Sequence, residues 1–166
     1  MKEPVLTRID YRLIHGQVST LWVPELNANH IVVIDDESCN NAMLKMVLEL
    51  AKPRQCTLDV VTAEMAGKMW NEGAFDNKGN VIALFKDSYN ALNAYKAGFT
   101  YATLQVGNMV GAPNKKKVME VIYMDDQDAK NIDEIAKSGV KVYLKITPEK
   151  GEEDWAVMKA KVFPYI

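Results

Sequence analysis

The sequence predicts an α/β fold: an open, doubly wound, mostly parallel sheet of about six to seven strands with helices on both faces. Short apolar segments rich in β-branched residues recur along the chain, and segments of helical periodicity lie between them. The turns that join them are short, which favours parallel strands and right-handed crossovers. We expect one domain over residues 1–166, with ligands bound where loops leave the carboxyl ends of strands.

The predicted strands are short apolar segments bounded by turn-forming or polar residues. In chain order they are Val5–Ile9, Ile31–Ile34, Leu58–Val61, Val81–Phe85, Ala102–Val106, Glu120–Tyr123 and Val140–Ile146. Several of them are apolar throughout rather than alternating, so we expect helices to cover both of their faces.

The clearest helical pattern spans residues 40–52. Its large apolar side chains recur three or four positions apart, at Met43, Met46, Val47 and Leu50. This spacing places them on one face of a helix and predicts a stripe that is buried in the core. The same interpretation, core rather than binding face, applies to Met65, Met69, Trp70 and Trp155.

Capping residues define two further helices. Asp87 can cap the first, and Gly98 can end it in a left-handed turn. Asp125 or Asp126 can cap the second, which Gly139 can end in the same way. Both helices lie between predicted strands, as the doubly wound fold requires.

Composition excludes several classes of protein. A net charge of -2 and a pI near 5.7 argue against general nucleic-acid binding, which needs a basic excess. Cys39 and Cys56 have neither the spacing of a zinc site nor that of a redox motif, and we expect buried thiols in a reducing compartment. No segment has the length or hydropathy of a signal peptide or a bilayer span.

The densest polar cluster of the chain follows the first predicted strand. Arg8, Asp10, Arg12 and His15 lie in one short strand-to-helix connection, and Gly16 comes next. A glycine at this position can let the backbone bend sharply and lets another molecule approach without meeting a Cβ atom. This connection is therefore the candidate site.

The residue types around His15 suit a phosphoryl group. A helix that begins at Gly16 or Gln17 directs unpaired backbone amides toward that group. Arg12 offers a planar donor fork that matches phosphate oxygens, and Asp10 can orient either Arg12 or an imidazole nitrogen. An unperturbed imidazole is mostly neutral at pH 7, so it can attack phosphorus and later release the group. These residues indicate a phosphoryl relay.

The segment RIDYRLIHGQV, residues 8–18, resembles the signature of the IIB subunits of the mannose/fructose/sorbose/N-acetylgalactosamine family of the bacterial sugar phosphotransferase system. The resemblance extends over nearly the whole chain, through Ile31–Glu37, Leu84–Lys86 and Val106–Met109. Tyr11 departs from the family pattern, where a second acidic residue is common, and so does Asn114, where a glycine is common.

The resemblance implies a protein-N(π)-phosphohistidine–sugar phosphotransferase with the doubly wound fold. His15 would accept a phosphoryl group from a phosphohistidine on the IIA partner. It would pass the group to a hexose or N-acetylhexosamine held by the membrane subunits IIC and IID. The expected location is the cytoplasm, with peripheral attachment to the inner face of the membrane through these partners.

The predicted site centres on His15 as the catalytic residue. Phosphate-binding or supporting roles are assigned to four neighbours in the loop: Asp10, Arg12, Gly16 and Gln17. Because parallel strands end at one edge of the sheet, the candidates for a further phosphate or partner contact are Arg8, Lys86, Ser88, Gly107 and Asn108. We expect no metal and no cofactor.

Two other functions remain open on the sequence alone. A receiver-like domain would be phosphorylated on Asp35 or Asp36, although its acidic pair would normally follow the first strand. A non-catalytic module would bind an anion or metabolite at the strand ends, although no nucleotide-binding glycine motif is present. The acidic run Asp35–Glu37 suits a divalent ion or a helix N-cap about equally, and self-association into a homo-oligomer is a further possibility.

Overall fold

The computed structural model describes residues 3–166 and confirms the predicted α/β class. Its strands are β1 (Leu6–Asp10), β2 (His30–Ile34), β3 (Thr57–Val61), β4 (Val81–Phe85), β5 (Thr103–Asn108), β6 (Lys116–Met119), β7 (Ile122–Met124), β8 (Lys141–Leu144) and β9 (Glu153–Asp154). The main sheet has the order β3-β2-β4-β1-β5-β8-β9. Its first six strands in that order are parallel, and β9 pairs antiparallel with β8.

Helices fill most of the connections between the strands. They are a π-helical segment (Val18–Trp22), α1 (Val23–Glu25), α2 (Asp36–Cys39), α3 (Ala42–Ala51), α4 (Ala63–Asn71), α5 (Ser88–Lys96), α6 (Asp126–Lys137) and α7 (Trp155–Val162). Within residues 3–166, none of them has the length and hydropathy needed to span a bilayer.

The core lies on both faces of the sheet. Every residue of β1, β2 and β4 is buried, which explains why β2 and β4 are apolar almost throughout. Successive residues of β2 alternate between two clusters, with Ile31 and Val33 in one and Val32 and Ile34 in the other. The cluster that contains Ile31 also holds the π-helical segment, so this helical connection covers one face of the sheet beside the candidate site.

Local capping chemistry places α5 and α6 as predicted. The Asp87 carboxylate accepts a hydrogen bond from the Asn90 backbone, and Gly98 follows α5 with a φ of 105°. Asp125 caps α6 in a reciprocal arrangement with Asp128, and Gly139 follows α6 with a φ of 97°. The ends of both helices are therefore set by residues that are close to them in sequence.

The predicted strand Glu120–Tyr123 is shifted and belongs elsewhere. The observed strand β7 pairs antiparallel with β6 in a separate two-stranded sheet, outside the main one. The prediction omitted β6 because its first two residues are exposed lysines, which give no apolar strand signal. It also omitted β9, whose two residues are both acidic and exposed.

The predicted buried stripe of α3 is wrong. Met43 is 73% exposed, Met46 61%, Val47 55% and Leu50 80%, whereas Leu48 is the buried residue of this helix. The helix lies beside the edge strand β3, where no further element covers its outer side. Met65 on α4 is also exposed, while Met69, Trp70 and Trp155 do lie in or against the core.

Candidate functional site

The candidate site lies where β1 ends, in the connection to the π-helical segment. The chain turns at Leu13, which has a φ of 57°, and the Leu13 amide donates to the Asp10 carbonyl over 2.9 Å. A left-handed conformation is unusual for a leucine and costs conformational energy. The sharp bend expected at Gly16 therefore falls at Leu13 instead, and Gly16 is already helical.

His15 is held by the last residue of β1. Its Nε2 lies 2.8 Å from Oδ2 of Asp10, with side-chain exposures of 7% and 0%. Since a carboxylate only accepts hydrogen bonds, this contact places the proton of the neutral ring on Nε2. Nδ1 is buried and has no hydrogen-bond partner among the described residues, so it carries the free lone pair.

Asp10 is fixed on several sides besides His15. Nε and Nη2 of Arg8 each lie 3.2 Å from its Oδ2, and the Arg12 amide donates to its Oδ1 over 3.1 Å. A buried carboxylate needs such partners because an unpaired charge in the interior is costly. Asp10 therefore orients the imidazole, one of the two roles predicted for it. It does not orient the Arg12 side chain.

Arg8 is fully buried beneath the site. Its Nη1 donates to the Lys145 carbonyl over 2.9 Å and to Oε1 of Gln105 over 2.5 Å, and its Nη2 donates to the Ile146 carbonyl over 3.1 Å. Burial lowers the pKa of Arg8, and the adjacent Asp10 partly offsets this effect. The predicted contact of Arg8 with phosphate or a partner is wrong for this structure, because none of its side chain is exposed.

Gly107 makes room for the Arg8 guanidinium. The pairing of β1 with β5 skips this residue, so it forms a bulge beside the site. A Cβ atom at position 107 would lie 1.9 Å from Cζ of Arg8, which is an impossible contact. On the other side, Arg8 lies 5.6 Å from the centre of the Trp22 ring. Gly107 thus supports Arg8, and its contact with phosphate or a partner stays a prediction.

Sequence reasoning missed the residues that hold Arg8. The sequence pattern assigns no role to Gln105 or Trp22. It also assigns none to the carbonyl groups of Lys145 and Ile146, which follow β8. Gln105 offers a signal, because it is a buried amide side chain between the apolar residues Leu104 and Val106 of a strand. Such a residue is expected to have a specific hydrogen-bond partner.

Arg12 and Asn108 line a cleft beside the loop. The cleft has a volume of about 210 Å³, and its lining includes Tyr11 and Tyr123. The Arg12 side chain is exposed and makes no hydrogen bond or ion pair within residues 3–166. Asn108 is largely buried, with its side chain at the cleft. The free guanidinium and the amide can both donate to an anion.

Lys86 reaches the edge of the site, whereas Ser88 does not. Lys86 lies 2.7 Å from Glu37, and this hydrogen bond is the main reason why the pKa of Lys86 is raised. It also lines a small cavity with Tyr11, so it does reach the edge of the site. Ser88 is fully buried and donates to Asp128 over 2.7 Å, so the predicted phosphate or partner contact of Ser88 is wrong for this structure.

The acidic residues after β2 act as caps. Asp35 is buried and accepts from the Ser38 backbone over 3.0 Å, and Asp36 accepts from the Ala63 backbone over 2.9 Å. In the described part of the chain, no group of three His, Cys, Asp or Glu side chains is placed to hold a metal ion. The N-cap interpretation therefore holds for Asp35, whose carboxylate caps α2.

The chain resembles known proteins over most of its length. Residues 4–163 match the family model of the PTS system sorbose subfamily IIB component. A sorbose-specific EIIB component of Klebsiella pneumoniae is 33% identical over 141 residues, which is 85% of each chain. The solved IIBSor domain of the sorbose permease from the same organism superposes with a TM-score of 0.89 at 29% identity, over 97% of this chain and 98% of that one. A mannose-specific EIIAB component of Escherichia coli is 27% identical over 84% of this chain and 43% of its own length.

Proposed function

Because the chain belongs to the sorbose-subfamily IIB components of the sugar phosphotransferase system, we propose that His15 is its phosphoryl carrier. In this proposal, Nδ1 of His15 accepts the group from a phosphohistidine on a IIA partner. The group then passes to a hexose or N-acetylhexosamine held by the membrane subunits IIC and IID. The proposal rests on the contacts of the His15 ring: Nε2 is hydrogen-bonded to buried Asp10, and Nδ1 has no partner within residues 3–166.

The first transfer exchanges one P–N bond for another. The Nδ1 lone pair of His15 attacks the phosphorus atom, and the electron pair of the breaking bond returns to the imidazole of the donor. The phosphorylated His15 ring keeps its proton on Nε2, which donates it to the Asp10 carboxylate as a hydrogen bond. The negative charge of Asp10 stabilises the positive ring. Asp10 therefore favours the product without itself accepting a proton.

The second transfer breaks the P–N bond that the first transfer formed. A sugar hydroxyl attacks the phosphorus atom, the P–N bond breaks toward Nδ1, and the hydroxyl proton leaves to solvent. The ring returns to its neutral form, with the proton still on Nε2. The protein contributes mainly position and charge to this reaction.

Charge stabilisation is proposed to come from the loop around His15. The free Arg12 guanidinium and the first amides of the helical segment, at Gly16 and Gln17, can donate to the three phosphoryl oxygens. Position 16 is open, because a Cβ atom there would meet nothing within 4 Å in the described chain. Asn108 offers a further donor at the cleft.

Phosphorylation requires Nδ1 to become accessible. This atom has almost no accessible surface in the free chain, so the ring or the groups that cover it must move before a donor reaches it. A change of this kind would keep the nucleophile shielded from water between transfers. We propose that the chain works at the cytoplasmic face of the membrane, attached only through its partners.

The test is phosphorylation of the purified chain by a phosphorylated IIA protein. We expect label that survives alkali, is lost in acid, and disappears in His15→Asn. His30→Gln is the matched control, since His30 is the other histidine and is buried away from the loop. Label that persists in His15→Asn, or that alkali removes, would refute the proposal and favour a carboxylate acceptor.

A further inference from the structure

The outer side of α3 carries an apolar surface that the fold does not use. We name it the α3 stripe and define it by four residues: Met43, Met46, Val47 and Leu50. All of them are more than half exposed, although they follow the helical spacing of a buried face. A contiguous exposed apolar surface of this kind usually marks an interaction site, and unbranched methionines adapt well to a partner.

α3 packs against the helical segment that follows His15. Oγ of Ser19, one turn after His15, contacts the Ala51 carbonyl at the end of α3 over 3.4 Å. Leu48, on the inner side of α3, belongs to the same core cluster as Ile14 and Val18. A partner that covers the His15 loop therefore meets α3 as a neighbouring element and can extend toward the α3 stripe.

Unpaired positive charges lie on α3, just after it and in the His15 loop. Lys45 lies on α3, Arg54 follows the helix, and Arg12 lies in the His15 loop; no carboxylate pairs with any of them within residues 3–166. The only carboxylate among the stripe's helical neighbours, Glu49, is paired with Lys52 over 3.4 Å. Because the chain as a whole has a charge of -2, this excess of free cations is local.

We infer that the α3 stripe docks the protein that delivers the phosphoryl group, a IIA-type domain with an apolar centre and an acidic rim. This inference rests on the proposed function of His15. The donor carries a phosphoryl dianion, so free cations around an apolar centre are complementary to it. In a dimer formed through this surface, the same cations of the two copies would face and repel each other. A bilayer is disfavoured because α3 lacks the aromatic anchors and strongly basic polar face of interfacial helices.

The test compares phosphorylation of His15 by a protein donor with phosphorylation by a small molecule. Met46→Glu/Leu50→Glu places negative charge in the centre of the α3 stripe, and Val157→Glu on α7 is the control at an exposed apolar position outside the stripe. We expect the KM for phosphorylated IIA to rise roughly 10- to 100-fold in the double variant. Phosphorylation of His15 by phosphoramidate, which needs no docking surface, should be unchanged, and so should both reactions of Val157→Glu.

Several results would overturn the inference. An unchanged KM for IIA in the double variant contradicts it, and so does an equal loss with both donors, which would mean that the variant disturbs His15 itself. Loss of a wild-type dimer in sedimentation, or of binding to phosphatidylglycerol vesicles, with the KM for IIA intact would assign the stripe to a second copy or to the membrane. Failure of wild type to accept from either donor would instead refute the function proposed for His15.

Discussion

Gly107→Ala is the sharpest test of how the site is built. The new Cβ atom would lie 1.9 Å from Cζ of Arg8 and 2.2 Å from its Nη1. Carbon atoms normally approach to about 3.5 Å, so the guanidinium would have to move by about 1.5 Å. Such a shift breaks its hydrogen bonds to the Lys145 and Ile146 carbonyls and weakens its pair with Asp10.

The expected cost follows from the burial of this pair. Breaking a fully buried ion pair costs about 3–5 kcal/mol. For a chain of this length, that lowers the Tm by roughly 6–20 °C. Asp10 also loses the support that fixes its carboxylate toward His15, so the rate of phosphoryl transfer to His15 should fall in the molecules that remain folded.

Calorimetry and a double-mutant cycle with Arg8→Ala measure the effect. Gly151→Ala is the control, because a Cβ atom there would meet nothing within 4 Å of the described chain. In the Arg8→Ala background, Gly107→Ala should cost less than about 1 kcal/mol, since the clashing group is gone. A Tm for Gly107→Ala within about 2 °C of wild type, or costs that simply add, would refute the role given to Gly107.

Three further predictions concern other residues. Asp10→Asn should lower the rate of transfer to His15 at least roughly 100-fold in rapid-quench assays while the chain stays folded; a near-normal rate would exclude the orienting role. Burial lowers the pKa of His30, so the unfolded chain takes up a proton at a higher pH than the native protein. The contribution of neutral His30 to the free energy of unfolding is therefore complete above about pH 6.5 and is lost as the pH falls below that value. In urea titrations, the free energy of unfolding of His30→Gln should fall less on acidification than that of wild type, and an equal fall would contradict this. Burial raises the pKa of Cys56, so iodoacetamide should modify Cys39 first, and peptide mapping that finds Cys56 first would be the opposite result.

The parts of the fold that depend on local chemistry could be predicted from the sequence. Val81–Phe85 is a strand with the bounds predicted because it is apolar throughout and turn residues precede it. Asp87 and Asp125 cap their helices because a carboxylate satisfies free backbone amides wherever it precedes a helix. In the candidate site, the contact between Asp10 and His15 could be predicted because the two residues are close in sequence.

The parts that depend on distant neighbours could not be predicted. The spacing on α3 shows which residues share a face, but only the position of α3 beside an edge strand decides that this face is exposed. Arg8 is a charged residue that sequence reasoning placed near solvent. Its burial needs two carbonyl groups more than 130 positions away and the missing Cβ atom of Gly107.

The most direct measurement is NMR of the phosphorylated chain with ¹⁵N-labelled histidine. If His15 is the carrier and Asp10 holds its ring, the ³¹P coupling must appear on Nδ1 of His15, and Nε2 must keep its proton. Coupling to Nε2 of His15, or a phosphoryl group on any other residue, would contradict the account.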